Sequence, residues 1–150
     1  MTDSLALRVR KLRSDELDWA NQRYRQVDFL PSPPSDLIAV AEVAGTPAGL
    51  GRVTPLSEIA GELGGMYVFP EHRGAGISSA LVRHLIDESG LDTLYCLPFE
   101  HLRALYEGLG FRLVPPDQRV PDHVARKHLW CNRHYPDPVL MMRRDNMRGA

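Results

Sequence analysis

The stretch "MYVFPEHRGAGISSALVRHLI", residues 66 to 86, constrains the fold of this chain more than any other. An extended apolar run stops at Pro70. An arginine, two glycines and two serines follow, and then Ile77, Leu81, Val82, Leu85 and Ile86 recur at helical spacing. The pattern reads as a strand, a bare turn and a helix that ends near Gly90. So little side chain at the start of a helix suits an anion. The first helical N–H groups have no intrahelical partner, and the helix dipole is positive at that end.

The flanking sequence supplies the other elements. "LALRVRKL" alternates and predicts a strand over 5–10. In "SDELDWANQRYRQV", Ser14 is the expected N-cap of a helix carrying Leu17, Ala20, Tyr24 and Val27 on one face. Three prolines in "FLPSPPSD" break regular structure. "LIAVAEVAGTPAGLGRVTPL" predicts two strands joined by a "GTPAG" turn, and "GELGGMYVF" a third strand. "LDTLYCL" is a short buried strand. "FEHLRALYEGLGF" places Leu102, Leu105, Tyr106 and Leu109 on one helical face before Gly110. After "FRLV" come a loop, a basic and histidine-rich helix in "DHVARKHLWCNRHY", and a closing strand in "PVLMMRR". The order β-α-loop-β-β-β-α-β-α-β-α-β predicts a mixed α/β layout with helices on a central sheet, in a single domain over 1–150.

Composition narrows the function classes. The chain has 150 residues, 43% hydrophobic and 25% charged, with a formal net charge of −1. Those are the proportions of an ordinary globular protein, and scattered basic residues give no footprint for nucleic acid or an anionic membrane. No apolar run approaches the ~20 residues of a membrane span, and the N-terminus does not read as a signal peptide. Two cysteines, Cys96 and Cys131, make no disulfide framework, so a reducing cytoplasm is expected.

Three glycine motifs compete for "HRGAGISSA". A P-loop requires a lysine that is absent. A dinucleotide fingerprint wants Gly or Ala where Ser79 stands and an acid at the end of the next strand, whereas Asp92 sits at its start. The third reading uses the neighbours: Arg73-Gly74-Ala75-Gly76-Ile77-Ser78 resembles the pyrophosphate-binding motif of the GNAT acetyltransferase superfamily. "RALYEGLGF", residues 103 to 111, resembles the second half of that family's pattern at the expected distance. A simple glycine-softened strand-to-helix turn is the alternative.

The resemblance implies a mostly antiparallel mixed sheet, splayed in the middle with helices on both faces, and acetyl-CoA as cosubstrate without a metal. It implies that the N–H groups of Gly74, Ala75, Gly76, Ile77 and Ser78 converge on the pyrophosphate, with Arg73 adding charge. Gly76 is needed because a Cβ would intrude on the phosphate oxygens. Ser78 departs from the usual Gly or Ala but is small. The backbone of Met66 and Val68 is expected to pair with the pantetheine amides as an added strand would.

Acetyl transfer to an amine needs the amine deprotonated, the thioester carbonyl polarised and the thiolate protonated. The resemblance makes Tyr106 the general acid; the helical spacing equally predicts a tyrosine packed in the core. Glu62 matches a position where some family members carry a catalytic glutamate. Period-two alternation would put it on one face with Gly64, Met66 and Val68. Its alternatives are a solvated glutamate at a strand end and a water chain as base. Glu71 and His72 lie toward the phosphates. Phe99 stands where the family often has an asparagine for the pantetheine, and His101 replaces it only if the loop shifts.

His128, Cys131 and His134, three apart, match no standard zinc pattern. Trp19, Trp130, Met141 and Met142 read as core or interface residues. The acceptor segments by resemblance are "QVDFLPSPPSD" and residues 115–138, with Asp28 meeting an ammonium and Phe29 an apolar portion. The expected acceptor is a small amine or amino acid, since no acidic trough for basic peptides is visible; oligomeric state, including a homodimer, stays open. The alternatives are a catalytically silent acyl-CoA sensor of the same fold, transfer of a longer acyl group, and a protein amine as acceptor.

Overall fold

In this computed structural model, residues 6–73 and 76–146 are described, and they fold as two compact units. One comprises 6–54 and 64–89, the other 55–63 and 90–146. Seven strands and four α-helices lie among the described residues. The strand β4, Ala60–Val68, opens in the second unit and closes in the first.

In the first unit the strand order is β1 (Leu7–Lys11), β2 (Leu37–Val43), β3 (Thr46–Pro55), then the end of β4. The β1–β2 and β2–β3 ladders are antiparallel, with Leu7 opposite Val43 and Val43 opposite Thr46. Helix α1, Leu17–Arg25, buries Ala20 and Tyr24 against Ile38, Val40, Leu50 and Phe69. Helix α2, Ile77–Ser89, buries Ile77, Leu81, Val82, Leu85 and Ile86, the five residues its sequence spacing selects, and Gly90 follows at φ +63°.

Two local expectations are corrected. The β2–β3 turn is Ala44-Gly45, not "GTPAG". Both residues have positive φ, 51° and 83°, which is the tight turn whose twist matches a two-stranded ribbon, so Thr46 and Pro47 already belong to β3. Ser14 does not cap α1, because 14–16 form one 3₁₀ turn ahead of it. The Arg13 N–H donates to Glu16 at 2.8 Å, and Glu16 is gripped by both terminal nitrogens of Arg10 at 2.8 and 2.9 Å. That grip and burial compete, and the hydrogen bond from Arg10 wins, holding the Glu16 carboxyl down at about 2.

The second unit runs from the start of β4 to β5 (Thr93–Cys96), then β7 (Met142–Asp145), then β6 (Arg112–Leu113). The β4–β5 pair is parallel, from Ala60 opposite Thr93 to Leu63 opposite Cys96. β7 is antiparallel to both β5 and β6. It is shorter than "PVLMMRR" suggests, because Val139 makes only an isolated bridge with Phe99. Helix α3, Arg103–Gly108, and helix α4, Asp122–His134, complete this unit. Ala60, Tyr95 and Val124 form one of its apolar clusters, and Met142 is fully buried.

Gly65 stands at φ +58° inside β4, which continues to Val68. The Tyr24 hydroxyl donates to the Gly65 carbonyl at 2.8 Å, from a ring that is itself fully buried. Tyr24→Phe therefore leaves a carbonyl without its partner, and thermal or urea unfolding should show a loss of ~1–3 kcal/mol. A loss within ~0.3 kcal/mol would mean that this bond does not hold the kink.

Candidate active site

The site residues expected from sequence fall into two groups, one in each unit. In the first unit, β4 carries Met66 and Val68, then a single 3₁₀ turn, Pro70–His72, leads to Arg73, which is exposed. Gly74 and Ala75 lie outside the described residues. Gly76 stands at φ +72°, and its carbonyl accepts from the Ala80 N–H at 3.2 Å, so α2 starts immediately after it. The N–H groups of Ile77, Ser78 and Ser79 therefore open the helix. They point a positive helix end at whatever lies before α2. A Cβ on Gly76 would meet nothing within 4 Å among the described residues other than its chain neighbours. Its backbone conformation still asks for glycine.

Gly65 changes the reading of β4. The period-two alternation that would carry Glu62, Gly64, Met66 and Val68 along one face does not pass unbroken through a residue at φ +58°. Within the first unit the Met66 side chain lies against Gly51, beside Leu85 of α2. Tyr67 and Phe69 pack together on the α1 side at 5.0 Å between ring centroids.

In the second unit Glu62 is 3% exposed, which removes the solvated strand-end alternative. Each of its oxygens is held from α4: Oε1 by His123 Nε2 at 3.0 Å and Oε2 by Lys127 Nζ at 2.7 Å. The histidine and lysine side chains are 51% and 39% exposed, so the trio runs from a buried carboxylate to a solvent-facing imidazole. Neither partner was singled out from sequence. They lie 61 and 65 residues away along the chain, but at i and i+4 on α4, which is the spacing that places them side by side.

Tyr106 is 5% exposed and packs edge-to-face on Phe111, with ring centroids 5.7 Å apart. The core packing expected from its spacing is present. Burial, then the neighbouring Cys96 thiol, pushes its pKa well up, so the phenol stays protonated. Cys96 is in turn raised by burial first and by the Glu62 charge second. Glu62, Cys96 and Tyr106 are thus electrostatic neighbours. Arg144 fixes the end of α3, its Nε donating to the Leu109 carbonyl at 2.9 Å.

Other candidates are settled by their contacts. Phe99 is clasped between His101 and Tyr135, with centroids at 6.0 and 5.3 Å, and His101 is exposed. Phe29 stacks on Tyr24 at 5.9 Å, so it serves the core of the first unit, and Asp28 is exposed. His128 is bound to the Val139 carbonyl at 2.8 Å and His134 lies on Trp130 at 4.3 Å. Among the described residues no group of three or more His, Cys, Asp or Glu is placed to hold a metal ion, and no helix is long and apolar enough to cross a membrane.

Residues 6–111 match the model of the Acetyltransferase (GNAT) family. No curated protein matches the chain. Among solved structures the fold is similar to N-acetylglutamate synthase from Neisseria gonorrhoeae, complexed with coenzyme A and N-acetyl-glutamate. The TM-score is 0.68 and the identity 16%, over 95% of this chain and 36% of that one, so the chain spans about a third of that protein. A GNAT family acetyltransferase from Elizabethkingia anophelis with acetyl-CoA bound gives 0.66 at 14% identity, over 93% of this chain and 98% of that chain. The ribosomal-protein-S18-alanine N-acetyltransferase from Escherichia coli gives 0.68 at 20%, over 96% and 97%. At these identities the likeness is one of fold.

Proposed function

Since the chain belongs to the GNAT acetyltransferase family, we propose that residues 1–150 are one acetyltransferase domain that moves the acetyl group of acetyl-CoA to a primary amine of a small molecule or amino acid. The observation that carries this reading is Gly76 at φ +72° directly ahead of α2, whose first N–H groups follow it, with Arg73 nearby in sequence. That is the geometry of an anion site, and the pyrophosphate of coenzyme A is the anion the family calls for. Arg73 and the N–H groups of residues 74 to 78 bind it, and the backbone of Met66 and Val68 receives the pantetheine arm.

The amine attacks the thioester carbonyl directly. Glu62 and His123 share the base role: the imidazole takes the amine proton, and the carboxylate balances the charge that this creates. With Nε2–H donating to Glu62, the imidazole presents Nδ1 as acceptor for the amine proton, and the buried carboxylate stabilises the imidazolium that forms. As the tetrahedral intermediate collapses, the C–S bond breaks and Tyr106 gives its hydroxyl proton to the departing sulfur. The raised phenol pKa keeps the hydroxyl protonated but makes it a weaker acid, so the transfer to sulfur takes place as the C–S bond breaks and not before. The domain acts in a reducing cytoplasm, without metal, nucleic acid or membrane.

Gly76→Asp tests the loop assignment. The substitution places a Cβ at a left-handed backbone position and a negative charge at the proposed phosphate site. Titration with CoA by calorimetry should show affinity lower by at least ~2 kcal/mol, about 30-fold. Wild-type affinity in a folded variant would remove the pyrophosphate from this loop.

A further inference from the structure

Arg52, on β3 in the first unit, is a half-buried residue whose guanidinium is held among the described residues by neutral groups. Its Nη1 donates to the Leu30 carbonyl at 2.8 Å and to Ser32 Oγ at 2.7 Å. Its charge lies over the Tyr24 ring, 4.5 Å from the centroid. Ser32 is fastened in turn, its carbonyl and N–H both bonded to the Asn21 side chain at 3.0 and 2.7 Å. No Asp or Glu among the described residues forms an ion pair with Arg52. Asp36 is the other charge acting on Tyr24, and it makes no ion pair with the guanidinium.

A partly desolvated cation is costly without an anion, and this one is oriented before any anion arrives. Nη1 is committed to the protein. That leaves Nε and Nη2, the edge that grips a carboxylate with two parallel bonds, without an acceptor among the described residues. The place is informative as well. The Arg52 stem crosses β4 at Gly65, where a Cβ would come within 2.6 Å of Nε and 2.8 Å of Cγ. Gly65 is next to Met66, whose backbone is proposed to hold the pantetheine.

We propose that Arg52 binds a carboxylate of the acceptor, so that the amine acetylated belongs to an amino acid or a related amino-carboxylic acid. The proposal rests on the acetyltransferase reading for the word acceptor, but carboxylate binding itself does not require turnover. Free energy from this contact lowers KM for the acceptor, while the chemistry at the amine is left to other residues.

The test uses matched pairs: the common amino acids and the amines left when their α-carboxylate is removed, such as histidine with histamine and tyrosine with tyramine. Thiol release from acetyl-CoA is measured for each with the full chain. In parallel, calorimetry of the CoA-bound protein measures binding of each compound. Wild type should favour at least one amino acid over its decarboxylated partner by ~30-fold or more in kcat/KM. Arg52→Gln should erase that preference through KM, leaving the KM for acetyl-CoA and turnover of the decarboxylated amine within about twofold. Arg52→Lys should restore only part, since a lysine lacks the fork.

Equal losses on both members of each pair would make Arg52 a clamp for the 30–32 segment and overturn the proposal. So would wild-type turnover that ignores the carboxylate, or a failure of every amino acid to bind. Arg52-dependent binding of amino acids with no thiol release would uphold the carboxylate site and defeat the acetyltransferase reading instead.

Discussion

Glu62→Gln should lower kcat for an amine acceptor by ~10²-fold or more, with the KM for acetyl-CoA little changed. The amide keeps the shape of the carboxylate and can still accept from His123 or Lys127. It cannot hold a negative charge beside an imidazole that is taking up a proton. The sign with pH follows from the role. A base works when deprotonated, so the wild-type rate falls on the acid side, and the variant should lose that acidic limb. The loss is therefore largest relative to wild type where the wild-type limb has levelled off, and smallest where wild type is itself protonated. A variant with wild-type rate and an unaltered pH profile would take the proton away from the Glu62–His123 pair and give it to water. Stability is a poor readout here, because His123 and Lys127 are both more than a third exposed and return readily to solvent.

Tyr106→Phe should cut kcat by roughly 10- to 10³-fold with the KM for acetyl-CoA nearly constant, since the hydroxyl acts mainly in the transition state. The variant keeps the ring on Phe111 and removes only the hydroxyl. It should cost little stability, because the ring packing is kept. That combination separates the two roles of the residue. If Tyr106 serves packing alone, neither stability nor turnover moves. If it is the acid, turnover falls and stability stays. A CoA thiolate is stable enough to leave partly unassisted, which sets the lower end of the range; turnover equal to wild type would return Tyr106 to the core.

Helix α2 was legible to the residue because its thirteen positions give the helical period several chances to repeat, and all five apolar positions on its face are buried. Short elements gave the sequence less to repeat. The 3₁₀ turn before α1 depends on Arg10 reaching Glu16 from β1, and the Ala44-Gly45 turn hides beside Thr46 and Pro47, which look more like turn residues than Ala44 does. The position of β7 between β5 and β6 comes from pairings 29 and 31 residues apart for β6, which no local pattern encodes.

The same logic divides the site. Gly76 and the start of α2 are local and were read from the motif itself. The grip of His123 and Lys127 on Glu62, and the unpaired edge of Arg52, arise from tertiary contacts. A lone arginine in a glycine-rich strand carries no sequence signal. Neither does a glycine that bends β4 and ends the alternation on which the placement of Glu62 beside Met66 was based.

The central claim, that this chain carries acetyl groups from acetyl-CoA to small amines, meets its most direct test in one assay. The purified protein is incubated with acetyl-CoA and a panel of amines and amino acids, while free thiol is followed by colour and acetylated product by mass. The account predicts thiol release above the acceptor-free rate for at least one compound, matched mole for mole by an acetylated amine. Saturable CoA binding with no amine raising thiol release, and no acetylated product, would contradict it and make the chain a binder of coenzyme A rather than a small-molecule acetyltransferase.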